Sequence, residues 1–294
     1  MFTRKKLLVV KSVLFVASAV FMVSCGNNEA AKEETDSKSV VKEDTTATAE
    51  VPETSYSLPS PLQIASIFKK SGLKYKSDLT SQMRDPSKYT SSLSKSLNLG
   101  VYSGDLSYCV MNKQSQEAMK YMKLCRSLAD NLGMGSVFEE ANLSKRFEKN
   151  LENEDSLAYI IAELQMVTDM YLDENDQQQI TSIVFAGAWI ESMYIGSKVY
   201  EKGKDKSLNN KLAEQMNILG SIINALKAVE KKEATIASLI TDLKSIKDIY
   251  DALPSIKNAV EAADSDKPMS LTDDEVASLT KRISELRTKF VNGN

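Results

Sequence analysis

From Ser60 onward, the apolar residues of this 294-residue chain recur at intervals of three and four. Leu157, Ile160, Ile161, Leu164, Val167 and Tyr171 fall on one helical face, and Leu212, Met216, Leu219, Ile223, Leu226 and Val229 fall on another. Ile236, Leu239, Ile240, Leu243, Ile246 and Ile249 repeat the theme. Val276, Leu279, Ile283, Leu286 and Phe290 are spaced three, four, three, four, which is a heptad seam. No stretch alternates apolar and polar positions well enough to compete as a strand. Start signals agree with helix. Ser60-Pro61-Leu62-Gln63 supplies a capping hydroxyl, a first-turn proline and a reciprocal glutamine; Asp85-Pro86 repeats the signal, and Thr272-Asp273-Asp274-Glu275 is a capping box. Gly72, Gly100 and Gly133 stand where helices would stop or hinge. The pattern predicts an all-α fold: a multi-helix bundle of eight to ten helices with no substantial sheet.

Before Ser60 the pattern is different. Arg4, Lys5, Lys6 and Lys11 precede an uncharged run from Ser12 to Val23, and Ser24 and Cys25 follow. Twelve uncharged residues are too few to span a bilayer core, so the run reads as an export signal over residues 1–24. The small Ser24 before Cys25 resembles the lipid-attachment site of bacterial lipoproteins, although Met22 stands where that pattern usually has Leu. Cys25 is therefore the expected lipidation site, the alternative being an ordinary secretory signal with a coincidental cysteine. From Gly26 to Ser57 the chain is rich in Glu, Lys, Thr, Ala, Ser and Asp, too polar to offset its chain entropy by burial. Residues 25–57 thus read as a lipidated tether with a reach of about 30 Å. Residues 58–200 read as a helical core and 201–294 as an antiparallel helical extension. The charged stretch Glu201–Lys206 is the candidate boundary, and one domain or two are both compatible with the length.

Composition then narrows the chemistry. Losing the signal lowers the basic count from 37 to 33 against 40 acidic groups, a net charge of −7, which opposes nucleic-acid binding. Histidine is absent. With it go His-containing zinc sites, Ser-His-Asp and Cys-His nucleophile systems and His-ligated haem. Cys109 and Cys125 read as core residues of one continuous helix running to about Leu132, some 24 Å apart and out of disulfide reach. No Walker loop, dinucleotide fingerprint or CxxC occurs, so no cofactor is indicated. Asp264 and Asp266 with Glu275, and the Asp173–Asp176 turn, brush the EF-hand pattern but lack its glycine or its closing glutamate, so no metal is expected either.

Two places could still carry a site. Ile183 to Gly196 has one charge, Glu191, in a run that is apolar all round, with Gly187 and Gly196 each costing about 1 kcal/mol against alanine in a helix. Something must approach the backbone there. Either a neighbouring helix packs on the glycines and Glu191 is paired to a Lys, an Arg or a Tyr hydroxyl, or Glu191, Trp189 and Tyr194 line a ligand pocket. The second place is Asn98–Tyr108, where Tyr102, Asp105 and Tyr108 share a face; Asp105 is expected near a helix start, in a capping role or an internal hydrogen bond. If Asp105 and Glu191 converge, they form a carboxylate pair suited to a metal or to acid–base work.

Ser60-Pro61, Asn98-Leu99-Gly100-Val101-Tyr102, Gly104-Asp105-Leu106, Tyr108, Asp155-Ser156-Leu157 and Ala188-Trp189-Ile190-Glu191 together resemble a family of uncharacterised envelope lipoproteins from Bacteroidota, over roughly Ser60 to Ser197. The resemblance implies an envelope lipoprotein of unknown function and supplies no catalytic residues. The expectation is a non-enzymatic, lipid-anchored helical module held at the outer membrane through its N-terminal lipid and binding another envelope protein. Its rival is a small-molecule or metal-binding protein, or an enzyme, using Asp105, Glu191 and the nearby tyrosines Tyr108 and Tyr194. A scaffold that oligomerises through the C-terminal heptads is a third.

Overall fold

Side-chain caps set where several of the helices begin. The computed structural model describes residues 58–229, 235–261 and 269–293; Cys25 and the tether, and Asp264 and Asp266 of the calcium-like stretch, lie outside them. Ser60 caps α1 (Pro61–Lys70) in a reciprocal box with Gln63. Ser91 and Ser94 form a second box at the start of α2 (Ser92–Met111), and Thr272 and Glu275 a third at α11 (Asp273–Val291). Between these lie α3 (Ser115–Asn131), α4 (Gly135–Glu139), α5 (Leu143–Lys149), α6 (Glu154–Glu174), α7 (Gln178–Gly203), α8 (Lys206–Val229), α9 (Ile236–Ala252) and α10 (Pro254–Glu261). Among the described residues there is no strand, so the fold is an all-α multi-helix bundle.

Three sequence expectations are corrected. Asp85-Pro86 opens only a three-residue 3-10 turn, Pro86–Lys88, and α2 begins six residues later under Ser91. Gly100 is neither a stop nor a hinge but lies inside α2. The continuous helix to Leu132 is two helices, α2 and α3, folded back on each other. Lys113 takes a left-handed conformation (φ 59°) at the turn, while Asn112 and Gln114 use their side-chain amides on the carbonyls of Tyr108 and Asn112. Polar side chains that satisfy the backbone locally end the helix even without Gly or Pro. Cys109 and Cys125 therefore sit on different helices, both buried and free.

The core is organised around α7. It is buried almost all round and packs against α1, α2, α6, α8 and α11, which is where a helix with no polar face must lie. Two apolar clusters meet along it. One gathers Trp189, Leu212, Leu219, Leu243 and Ile283 from α7, α8, α9 and α11; the other gathers Tyr102, Leu128, Phe147 and Leu157 from α2, α3, α5 and α6. Every apolar residue of the C-terminal seam, Val276 through Phe290, is buried in the first. The described residues fall in one compact unit, within which Glu201 to Gly203 end α7, Lys204 turns with φ 53° and Lys206 opens α8. No helix of the described residues is long and apolar enough to cross a membrane.

Candidate functional site

Three glycines let α2 and α7 touch backbone to backbone. A Cβ on Gly100 would fall 1.9 Å from the Val184 carbonyl oxygen, and one on Gly187 would fall 2.1 Å from that of Leu97. Gly104 faces the Glu191 side chain, with an added Cβ 3.2 Å from Glu191 Cβ. Gly196 receives Phe68 and Leu212 from α1 and α8. The close approach inferred for Gly187 and Gly196 is thus present, and its consequence at Gly104 is chemical. It sets Glu191 beside Asp105, one turn further along neither helix but directly across the crossing.

Asp105 and Glu191 do converge, and both are fully buried. Asp105 lies in the C-terminal half of α2, not near a helix start, so the macrodipole does not stabilise its charge. Its partners come from elsewhere. Arg287 on α11 reaches Glu191 with two bonds, Nε to Oε2 at 2.7 Å and Nη2 to Oε1 at 2.8 Å, and stacks 4.0 Å over the ring of half-buried Tyr194. Two carbonyl captures at the end of α11 fix its register: Asn98 donates to Phe290 O and Tyr89 to Val291 O. Trp189 is on the other side of α7, where its indole N–H donates to Gln215 O.

The remaining contacts all go to one segment. Leu73 to Thr90 is irregular apart from its 3-10 turn, longer than most such connections, and its backbone polar groups need partners. Side chains at i, i+3 and i+6 of α2 supply them. Tyr108 donates to Lys74 O (3.1 Å) and accepts from Lys76 N (2.7 Å); Asp105 accepts from Ser81 N (3.0 Å); Tyr102 donates to Gln82 O and accepts from Arg84 N. Tyr121 of α3 donates to Ser81 O, and Arg287 donates to Leu79 O and Ser81 Oγ. Ser81 Oγ in turn donates to Glu191. The polar cluster is a clasp that straps residues 73–90 onto the α2–α7 crossing.

Electrostatics follow from the burial. Loss of water and the neighbouring Glu191 charge raise the Asp105 pKa well above the carboxylate range, against weaker lowering by Arg287 and the Ser81 N–H. Asp105 Oδ1 meets no donor, which suits a neutral acid, and the side chain is hydrogen-bonded to Glu191. One carboxylate and one guanidinium then balance. Burial alone would lower the Arg287 pKa, but the charge and hydrogen bonds of Glu191 outweigh it and raise it. Burial also raises the phenols of Tyr102, Tyr108 and Tyr121, so they stay protonated as donors. The Cys109 thiol is raised by burial and Cys125 is pushed up to about 12, so neither offers a thiolate near neutral pH.

Of the residues singled out from sequence, Asp105, Tyr108, Glu191 and Tyr194 meet through this network, and Trp189 does not join it. Arg287, Ser81 and Tyr121 were not legible as members. Arg287 does carry one signal: it directly follows Leu286 of the buried seam, so its stem must run alongside the core. Among the described residues, no group of three or more Cys, Asp or Glu side chains is placed to hold a metal ion. Comparisons with protein-family models, curated proteins and solved structures find no match to this chain.

Proposed function

We propose that this protein is a lipid-anchored helical module of the cell envelope, held at the outer membrane through acylated Cys25, that works by binding or scaffolding another envelope protein. The resemblance to Bacteroidota envelope lipoproteins points the same way. The observation that carries the non-enzymatic part is the state of the carboxylate pair. Asp105 and Glu191 are spent on the strap and on Arg287, whose side chain is 14% exposed while both carboxylates are buried. Catalysis needs reacting groups that a substrate can touch, in a concave site with convergent polar groups. Residues 73–90 and Arg287 cover this pair, so a substrate would have to displace them to reach it.

The test is capture from the native envelope, comparing the full chain with Cys25→Ser. The reading expects a mature N-terminus at Cys25 bearing acyl chains, and an envelope protein recovered with the wild type and lost when the anchor is removed. An unprocessed or unacylated N-terminus would overturn it. So would capture that is indifferent to the anchor.

A further inference from the structure

Helix α6 turns an apolar crest to solvent. Its exposed positions up to Asp173 are Asp155, Tyr159, Ala162, Met166, Met170 and Asp173, a single stripe at steps of three and four. Tyr159, Met166 and Met170 are 66%, 56% and 55% exposed, and they are the large apolar side chains that stand out to this degree among the described residues. The buried face of the same helix is already complete, with Leu157, Ile160, Ile161, Leu164 and Leu172 in the core. Packing therefore does not account for the crest. Beside Tyr159 lies a shallow depression of about 430 Å³ bordered by Asn150, Asn153, Asp155, Ser156 and the Glu163-paired Arg146, where a side chain from outside could lodge.

Charge decides what kind of surface would cover it. No Lys or Arg occurs between Lys149 and Lys198, while α6 carries Glu154, Asp155, Glu163, Asp169, Asp173 and Glu174. Neighbouring segments neutralise two of these: Arg146 of α5 holds Glu163 through two bonds, and Lys113 of the α2–α3 turn lies 3.8 Å from Glu154. Among the described residues no cation pairs with Asp155, Asp173 or Glu174. A second copy laid crest to crest would set Asp155 against Asp173 in one direction and each against itself in the other, a like-charge contact at both ends. An anionic lipid surface would be repelled in the same way. A basic helix with an apolar stripe meets both demands, since methionines adapt to varied partners and acids at the rim steer cations.

We infer that the α6 crest, centred on Tyr159, Met166 and Met170, is the docking face for a basic amphipathic helix of a partner protein. The inference rests on the binding-module reading above and names its surface. It can be tested on the full chain with two synthetic helical peptides about five turns long that share one leucine face, the polar face being all Lys in one and all Glu in the other. Fluorescence anisotropy should show the Lys peptide binding at least about tenfold more tightly at low salt, with the preference shrinking as salt rises. Met166→Ser with Met170→Ser should weaken it about tenfold, and Asp155→Asn with Asp173→Asn should remove the preference for Lys over Glu. These positions are exposed, so unchanged thermal unfolding certifies the fold. Equal affinity for the two peptides, or binding indifferent to the serine pair, would overturn the inference. So would sedimentation as a dimer, or pelleting with phosphatidylglycerol vesicles, that the serine pair abolishes. Anchor-dependent capture that survives the serine pair would discard this surface while leaving the binding-module reading intact.

Discussion

Asp105 differs from an ordinary buried carboxylate in having a second carboxylate as its neighbour, and this makes its proton part of the structure. In the folded chain its pKa is raised by burial and by Glu191, whereas unfolded it returns to about 3.9. The unfolded state therefore gives up the proton first as pH rises. The contribution is fully present below the unfolded value, and it falls by up to about 1.4 kcal/mol per pH unit until the folded value is passed. Asp105→Asn mimics the neutral acid, its amide donating to Glu191 and its oxygen accepting from Ser81 N. Near pH 4 the variant should lie within about 1 kcal/mol of wild type. Urea midpoints taken upward from there should show it gaining on wild type, and parallel profiles would mean that Asp105 is ionised in both states. Glu191→Gln has a different effect, because it strands a guanidinium that is mostly buried. A loss of about 2–4 kcal/mol is expected, the lower end reflecting the exposed part of Arg287, with chemical denaturation as the readout.

At the scale of elements, the α2–α7 crossing is set by glycine. Gly100→Ala or Gly187→Ala would drive a methyl group to 1.9 or 2.1 Å from a backbone oxygen, which only a shift of the whole crossing can relieve. Either should cost about 3 kcal/mol or more in thermal unfolding. Gly220, inside α8, has nothing within 4 Å of the added atom, so Gly220→Ala should stabilise by about 0.5–1 kcal/mol. If the two substitutions behaved alike, packing would not be the reason for the glycines. The contrast also shows how far local pattern reaches. Period and capping were sufficient for α1, α6, α8, α9 and α11, whose apolar faces are continuous in sequence and whose caps at α1 and α11 are local boxes. They misjudged α2 and α3, because Gly100 reads as a breaker until Val184 is known to lie against it, and because the Asn112–Gln114 turn has no Gly or Pro.

The assembled molecule joins residues that are far apart in the chain: Glu191 to Arg287, Ser81 to Asp105, Asn98 to Phe290. Such pairs have no signature in composition or periodicity. Hence Glu191 was recognisable as a charge that needed a partner, while the identity of that partner was not. The same holds for the strap. Tyr102, Asp105 and Tyr108 were visible as one face of a helix, but what covers that face is chain from Leu73 to Thr90, which has no periodicity to read. Whether this strap is closed is decisive, since a clasp and an openable ligand site use the same residues. Native-state hydrogen exchange at the amides of Lys76, Ser81 and Arg84 separates them, because each donates to a side chain of α2. A structural clasp predicts that these amides exchange as slowly as those in the middle of α2 and lose protection together in Glu191→Gln. Exchange at the rate of an open loop in the wild-type chain, with α2 still protected, would contradict it.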